Sequence, residues 1–203
     1  MQPHPEIEFK WALDADAHAR LAERLRTLLG EPHVLHQDNR FFDSADGRLR
    51  AAGRSVRVRR ENSRVVLTCK AKAVQSIPGL HQHEEWEQDL PPTIWESVDH
   101  PDQFTVPLPP AWFAALAGAS LTSLGGFANL RLEYHDQVHL LCLDHTDFGV
   151  RQDYELEIET AEHEAAAIRW KKLLATWGIA WKPQLRTKLQ RYLRIRNELK
   201  PNT

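Results

Sequence analysis

The chain is short of several things. Among its 203 residues there are two cysteines, Cys69 and Cys142, too few for a disulfide framework and with no CxxC or Cys/His spacing of a zinc site. No apolar run approaches the ~20 residues of a membrane-spanning helix. The opening MQPHPEIEFK contains no apolar stretch of the kind a signal peptide needs. Net charge is also scarce, because 26 Lys and Arg stand against 28 Asp and Glu, a balance of −2. A surface of that balance has no general attraction for nucleic acid or an anionic membrane. There is no internal repeat, no low-complexity linker, and no Ser/His/Asp or Cys/His arrangement for a covalent nucleophile. These absences lead to the expectation of one domain over residues 1–203, cytoplasmic, with no nucleic-acid or membrane partner. They leave monomer and homodimer both open.

What is present is a strong segregation of charge. Arg48, Arg50, Arg54, Arg57, Arg59, Arg60, Arg64, Lys70 and Lys72 make nine basic residues over 48–72, interrupted by Glu61 alone. Residues 153–164 hold six acids, Asp153, Glu155, Glu157, Glu159, Glu162 and Glu164, and no Lys or Arg. From Lys182 to Lys200 there are seven basic residues against Glu198. Such blocks are ordinarily solvated faces or interaction tails.

Periodicity argues otherwise. EIEFKW sets Glu6, Glu8 and Lys10 on one side of a strand and Ile7, Phe9 and Trp11 on the other. SVRVRR does the same with Arg57 and Arg59. RVVLTCKAK groups Arg64, Thr68, Lys70 and Lys72; HQHEEWEQDL groups His81, His83, Glu85, Glu87 and Asp89. ANLRLEY places Asn129, Arg131 and Glu133 opposite Leu130, Leu132 and Tyr134, and DYELEIE places Asp153, Glu155, Glu157 and Glu159 opposite Tyr154, Leu156 and Ile158. HQDNRFFD and QVHLLCLD are further strand candidates. A helix is predicted over 14–29, capped by Asp14, with Leu13, Ala17, Leu21, Leu25 and Leu28 as its apolar stripe and Gly30 ending it. The stretch 91–126 reads as two short helices before a Gly125-Gly126 break. Two helices over about 161–177 and 184–199 finish the chain.

One solvated sheet face would explain any single strand, but here whole faces carry one sign of charge. Carboxylates two residues apart on a strand sit roughly 7 Å from each other, and uncompensated they repel and favour a bound cation. A closed barrel with its aliphatic side under helices and its charged side inward uses every face. Oxygen ligands suit Mg²⁺ or Mn²⁺, and an Arg/Lys ring suits a polyphosphate.

The residues resemble one family. EIEFK is similar to the ExExK signature of the CYTH domain, the triphosphate tunnel metalloenzymes. In the family's order follow NRFFDSADGRLRAAGRSVRVR, LTCKAK, HEEWE, NLRLEY, LDHTDFG with YELEIE, and RTKLQRYL. The inserted stretch before Gly126, LDHTDFG and KLQRYL look most like the thiamine triphosphatase branch. The resemblance implies an α+β fold: a closed eight-stranded antiparallel barrel, or tunnel, with a charged interior, covered by helices. It implies a hydrolase of a terminal phosphoanhydride in inorganic or thiamine triphosphate, with a triphosphate-containing small molecule as partner and two Mg²⁺ or Mn²⁺ ions as cofactors. Glu6, Glu8, Asp144, Glu155 and Glu157 would hold metal, the position of Asp144 being open between it and Cys142. Lys10, Arg57, Arg59, Lys70, Arg131 and Lys188 would contact phosphate, Glu85 would orient a basic neighbour, and Lys10 and Glu157 would carry catalysis. His83 stands where many members have Arg, and Phe41 and Phe42 supply no hydroxyl where several have Tyr. A cyclase acting on ATP and a non-catalytic polyphosphate-binding module are the alternatives. The pair His81-x-His83 has no partner ligands in sequence and reads as a surface feature.

Overall fold

The computed structural model describes residues 4–72, 78–98, 100, 106, 108, 110–116 and 118–199. Eight strands form: β1 (His4–Leu13), β2 (His33–Ser44), β3 (Arg54–Glu61), β4 (Arg64–Lys72), β5 (Leu80–Leu90), β6 (Leu121–His135), β7 (Leu140–Asp147) and β8 (Gln152–Glu159). Their hydrogen-bonded order, β1-β5-β4-β3-β2-β6-β7-β8, returns on itself as a closed barrel. The register pairs β1–β8, β2–β3, β3–β4, β4–β5 and β7–β8 are antiparallel. Five helices accompany them among the described residues: α1 (Ala15–Leu29), α2 (Arg48–Ala51), α3 (Pro110–Leu116), α4 (His163–Thr176) and α5 (Lys188–Glu198). None is long and apolar enough to cross a membrane.

Chain contacts divide the protein into two compact units interleaved in sequence. One comprises Glu6–Leu35, Val74–Gln82 and Asn129–Thr203. Here Phe9, Trp11, Leu141, Leu143, Leu156 and Ile158 present one face of β1, β7 and β8 to Leu21 and Leu25 of α1 and to Ala166, Trp170 and Leu174 of α4. Full burial of each large aliphatic contributes about 1.5–3 kcal/mol. Asp14 caps α1, its Oδ1 accepting from the Ala17 N–H at 2.7 Å. Leu28, predicted to belong to the apolar stripe, is 52% exposed, because the stripe of a 3.6-residue period has rotated past the core by the last turn.

The other unit comprises Met1–Pro5, His36–Ala73 and His83–Ala128. Its core joins Phe42, Val56, Val58, Val65, Leu67 and Cys69 to Leu49, Leu108, Trp112 and Leu116. Trp86 meets the edge of Trp112 at a centroid distance of 5.5 Å. α2 was not foreseen. Asp43 builds it, accepting from the Leu49 and Arg50 N–H groups at 2.8 and 3.2 Å.

Parts of the predicted helical stretch 91–126 (99, 101–105, 107, 109 and 117) lie outside the described residues, as does Lys200 of the basic tail. The rest contains a 3₁₀ turn at Pro92–Ser97 and α3. Gly125 and Gly126 do not end a segment. They lie inside β6, Gly125 at φ +81° and Gly126 where a Cβ would sit 1.6 Å from the Asn39 carbonyl oxygen. The pair permits a close backbone approach rather than breaking structure. The final helix begins at Lys188 and not near 184, because residues 182–184 run beside β1. Ala12 N–H donates to the Lys182 carbonyl at 2.8 Å, and Gln184 N–H to the Lys10 carbonyl at 2.9 Å. Thr187 then opens α5 with a capping box closed by Gln190.

Candidate active site

The register explains how one strand face collects charge. Lys10 lies opposite Glu157, which lies opposite Cys142; Glu155 lies opposite Asp144; Glu8 lies opposite Glu159. Residues directly opposed in antiparallel strands share a face. Between these rows, Phe9, Ile158 and Leu141, then Trp11, Leu156 and Leu143, point to the helix-covered side. The alternation that buries the aliphatics therefore brings Lys10, Asp144, Glu155 and Glu157 together.

All of these side chains are buried, so each charge needs a partner. The Lys10 ammonium lies 2.8 Å from Glu8 and also bonds Glu157. Arg131 of β6 donates through Nε and Nη2 to the two oxygens of Asp144, at 2.8 and 2.7 Å, and reaches Glu157 with Nη2. Lys188, the first residue of α5, donates to Asp144 at 2.7 Å, to Glu157 at 2.8 Å and to Glu155. Asn129 Nδ2 donates to Asp144 at 3.0 Å, and its own carbonyl oxygen accepts from Thr146 Oγ1 at 2.7 Å.

These contacts set the protonation states. Burial pushes Glu157 up, but Lys10, Lys188 and Arg131 outweigh it and hold the carboxyl well below its usual range. Asp144 is held down in the same way by Arg131 and Lys188. Burial alone would lower Lys10, and Glu157, Glu8 and Glu155 instead raise it well above its ordinary value. Glu159 differs: burial, then Glu8, Glu6 and Glu157, push it up to about 7 against the pull of Arg131. Burial also pushes the Cys142 thiol well up, so Cys142 is a neutral neighbour while Asp144 carries the charge.

Asp144, Glu155 and Glu157 each bring a carboxylate oxygen within 4.8 Å of the others. Three converging hard oxygen donors suit Mg²⁺ or Mn²⁺, and a fourth carboxyl displaced to about 7 beside them has the character of an acidic site that attracts cations. Glu6 and Glu8 stand outside this trio, although they too bring oxygens within 4.8 Å of each other on β1.

In the other unit, Arg57, Thr68 and Glu87 occupy one row of β3, β4 and β5, and Ser55, Lys70 and Glu85 the next. Arg57 Nη2 donates to Thr68 Oγ1 at 3.2 Å, and that hydroxyl donates to Glu87 at 3.2 Å. Lys70 lies 3.1 Å from Glu85, and Arg59 lies 3.2 Å from Glu61. The Arg57 Nε is buried with no acceptor among the described residues.

Two residues that the sequence does not single out, Arg191 and Thr146, belong to the first group. Arg191, one helical turn after Lys188, places Nη2 2.7 Å from Glu155 and Nε 3.0 Å from Asp153. Its spacing from Lys188 was the available signal. Thr146, two after Asp144 on the same strand face, could have been found by alternation, as Asn129 is beside Arg131. His81 corrects the surface reading: it is buried, with Nε2 2.8 Å from the Gln184 carbonyl oxygen.

The CYTH domain profile matches residues 4–179, a span that holds all eight strands of the barrel. The chain belongs to the CYTH domain family. Its relatives include the candidate triphosphatase YjbK of Bacillus subtilis, 29% identical over 93% of each chain. Among solved CYTH-like structures, HpAC1 from Hippeastrum, a candidate adenylyl cyclase with a dominant triphosphatase activity, superposes with a TM-score of 0.82. It is 27% identical over 97% of this chain and 98% of that one. A candidate adenylate cyclase of Bacillus halodurans superposes with a TM-score of 0.73 at 25% identity, covering 94% and 98% of the two chains.

Proposed function

We propose that this CYTH protein is a divalent-metal-dependent triphosphatase, cleaving the terminal phosphoanhydride of inorganic triphosphate or thiamine triphosphate. The observation that carries the reading is the buried trio Asp144, Glu155 and Glu157 interleaved with Lys10, Arg131, Lys188 and Arg191. Acids for a hard cation and cations for phosphate oxygens lie within bonding distance of each other. The names of YjbK and HpAC1 point the same way.

In this reading the trio holds an ion, with Glu6 and Glu8 as the donors for a second. A bound divalent ion neutralises phosphate oxygens and acidifies a water. Lys10 and Arg131 hold oxygens of the transferring phosphoryl group, where positive charge matters most. In the other unit, Arg57, Arg59 and Lys70 are the donors suited to phosphate oxygens, with Glu85 orienting Lys70. Arg57 Nε, a buried donor with no acceptor among the described residues, is suited to a phosphate oxygen. A water oxygen bonds to the terminal phosphorus as the bridging P–O bond breaks, giving orthophosphate and the shortened phosphate with net release of a proton. The two-point fork of Arg131 on Asp144 keeps that donor fixed while charge develops.

The cyclase name shared by the solved relatives favours a second reading, attack by a 3′-hydroxyl of ATP. Phosphate release from inorganic triphosphate, thiamine triphosphate and ATP, with Mg²⁺ or Mn²⁺ and with EDTA, tests both. Metal-dependent release from one of the first two is expected. Cyclic AMP with diphosphate from ATP, and no orthophosphate from any substrate, would overturn the proposal.

A further inference from the structure

Four cations reach the acidic group, and they are not equivalent. Arg131 is fixed on Asp144 by its two-point fork. Arg191 is tied to Asp153 and, through Nη1 at 2.8 Å, to the Arg186 carbonyl oxygen as well as to Glu155. Lys10 divides its ammonium between Glu8 and Glu157. Lys188 alone of the four meets Asp144, Glu155 and Glu157 together. An ammonium has three N–H donors, and here the three carboxylates that converge on one another take them.

Those are also the oxygens a hard divalent ion requires, at about 2.0–2.1 Å for Mg²⁺. A site whose oxygens already surround an ammonium at 2.7–2.8 Å cannot accept a second cation at its centre without strong like-charge repulsion. One must leave. We propose that Lys188 is a resident counter-cation of the carboxylate trio, displaced whenever a divalent ion binds, and that its freed ammonium then pairs with a triphosphate oxygen. The inference rests on the reading of the trio as a divalent-ion site.

The local structure permits the exchange. Lys188 follows the N-cap Thr187, and the Thr187–Gln190 capping box and the contacts of Arg191 hold α5 without it. The four-carbon stem of lysine can therefore swing by rotamer changes while the helix stays. Metal entry and triphosphate binding become linked, since the first releases a cation for the second.

The test reads Lys188 directly in the wild-type chain. Acetylation by an N-hydroxysuccinimide ester, followed by peptide mass spectrometry, compares EDTA-treated protein with protein in Mg²⁺. Lys188 labelling is expected to rise several-fold in Mg²⁺, whereas exposed Lys182 stays constant. In parallel, Mn²⁺ titrated calorimetrically into Lys188→Met should bind about tenfold or more tightly than into wild type. Inorganic triphosphate should bind the same variant more weakly. Unchanged or reduced Lys188 labelling in Mg²⁺ overturns the proposal, whether or not Lys188→Met folds. Equal Mn²⁺ affinity in both proteins overturns it while leaving the metal site standing. Failure of both proteins to bind Mn²⁺ overturns it together with the reading of the trio.

Discussion

Arg131 holds Asp144 at both oxygens, Nε on Oδ1 and Nη2 on Oδ2. A lysine at this position keeps the charge but has no planar fork. Arg131→Lys should fold, lose about 1–3 kcal/mol in denaturant unfolding, and lower phosphate release about 10–100-fold, the usual cost of removing a group that orients a metal ligand. An unchanged rate would detach Arg131 from the reaction.

Glu157 is the anion shared by Lys10, Lys188 and Arg131. Glu157→Gln leaves three buried cations short of a partner. Such a loss costs about 3–5 kcal/mol and is visible as a lowered thermal midpoint. Turnover should fall at least about 100-fold, and calorimetric Mn²⁺ binding should disappear.

Gly126 tests the fold itself. Its Cβ would stand 1.6 Å from a backbone oxygen, and backbone on both sides leaves little room to yield. Gly126→Ala should be among the most damaging conservative changes, costing upwards of about 3 kcal/mol. The measure is soluble yield and the urea midpoint; a stability within about 0.5 kcal/mol of wild type would contradict the close approach.

His18 gives a pH dependence. Burial, reinforced by His145 and opposed by Asp144, lowers its imidazole from 6.5 to about 4. Its ring packs against Tyr154 and His145 at 5.1 and 6.4 Å. Between these values the unfolded chain binds a proton that the folded chain does not, so stability falls as pH drops from 6.5 towards 4. Allowing for its partial exposure, the loss is about 1–2 kcal/mol. His18→Gln should flatten urea midpoints over that window; an unchanged slope would show that another group titrates there.

Alternation of side chains made the strands legible, and with them most of the site. Glu8, Lys10, Glu155 and Glu157 are two apart, and a two-residue period on a strand leaves one face for all of them. What alternation does not contain is which cation meets which acid, since that depends on register. Arg57 meets Thr68 across the β3–β4 register, and because β4 lies between β3 and β5 it reaches Glu87 only through the Thr68 hydroxyl. Gly125 and Gly126 were misread because a local glycine pair carries the same letters in a turn and at a crowded strand contact. His81 reads as a surface residue because nothing in its neighbours' identities records its burial against the Gln184 carbonyl, which comes from a segment distant in sequence.

Lys188 and Arg191 lie beyond residue 179, where the family match ends. The acids of the site lie on barrel strands, and two of its counter-charges on α5, a helix of 11 residues. A transplant of that helix between relatives would reset the charge met by an incoming polyanion without disturbing a single strand pairing.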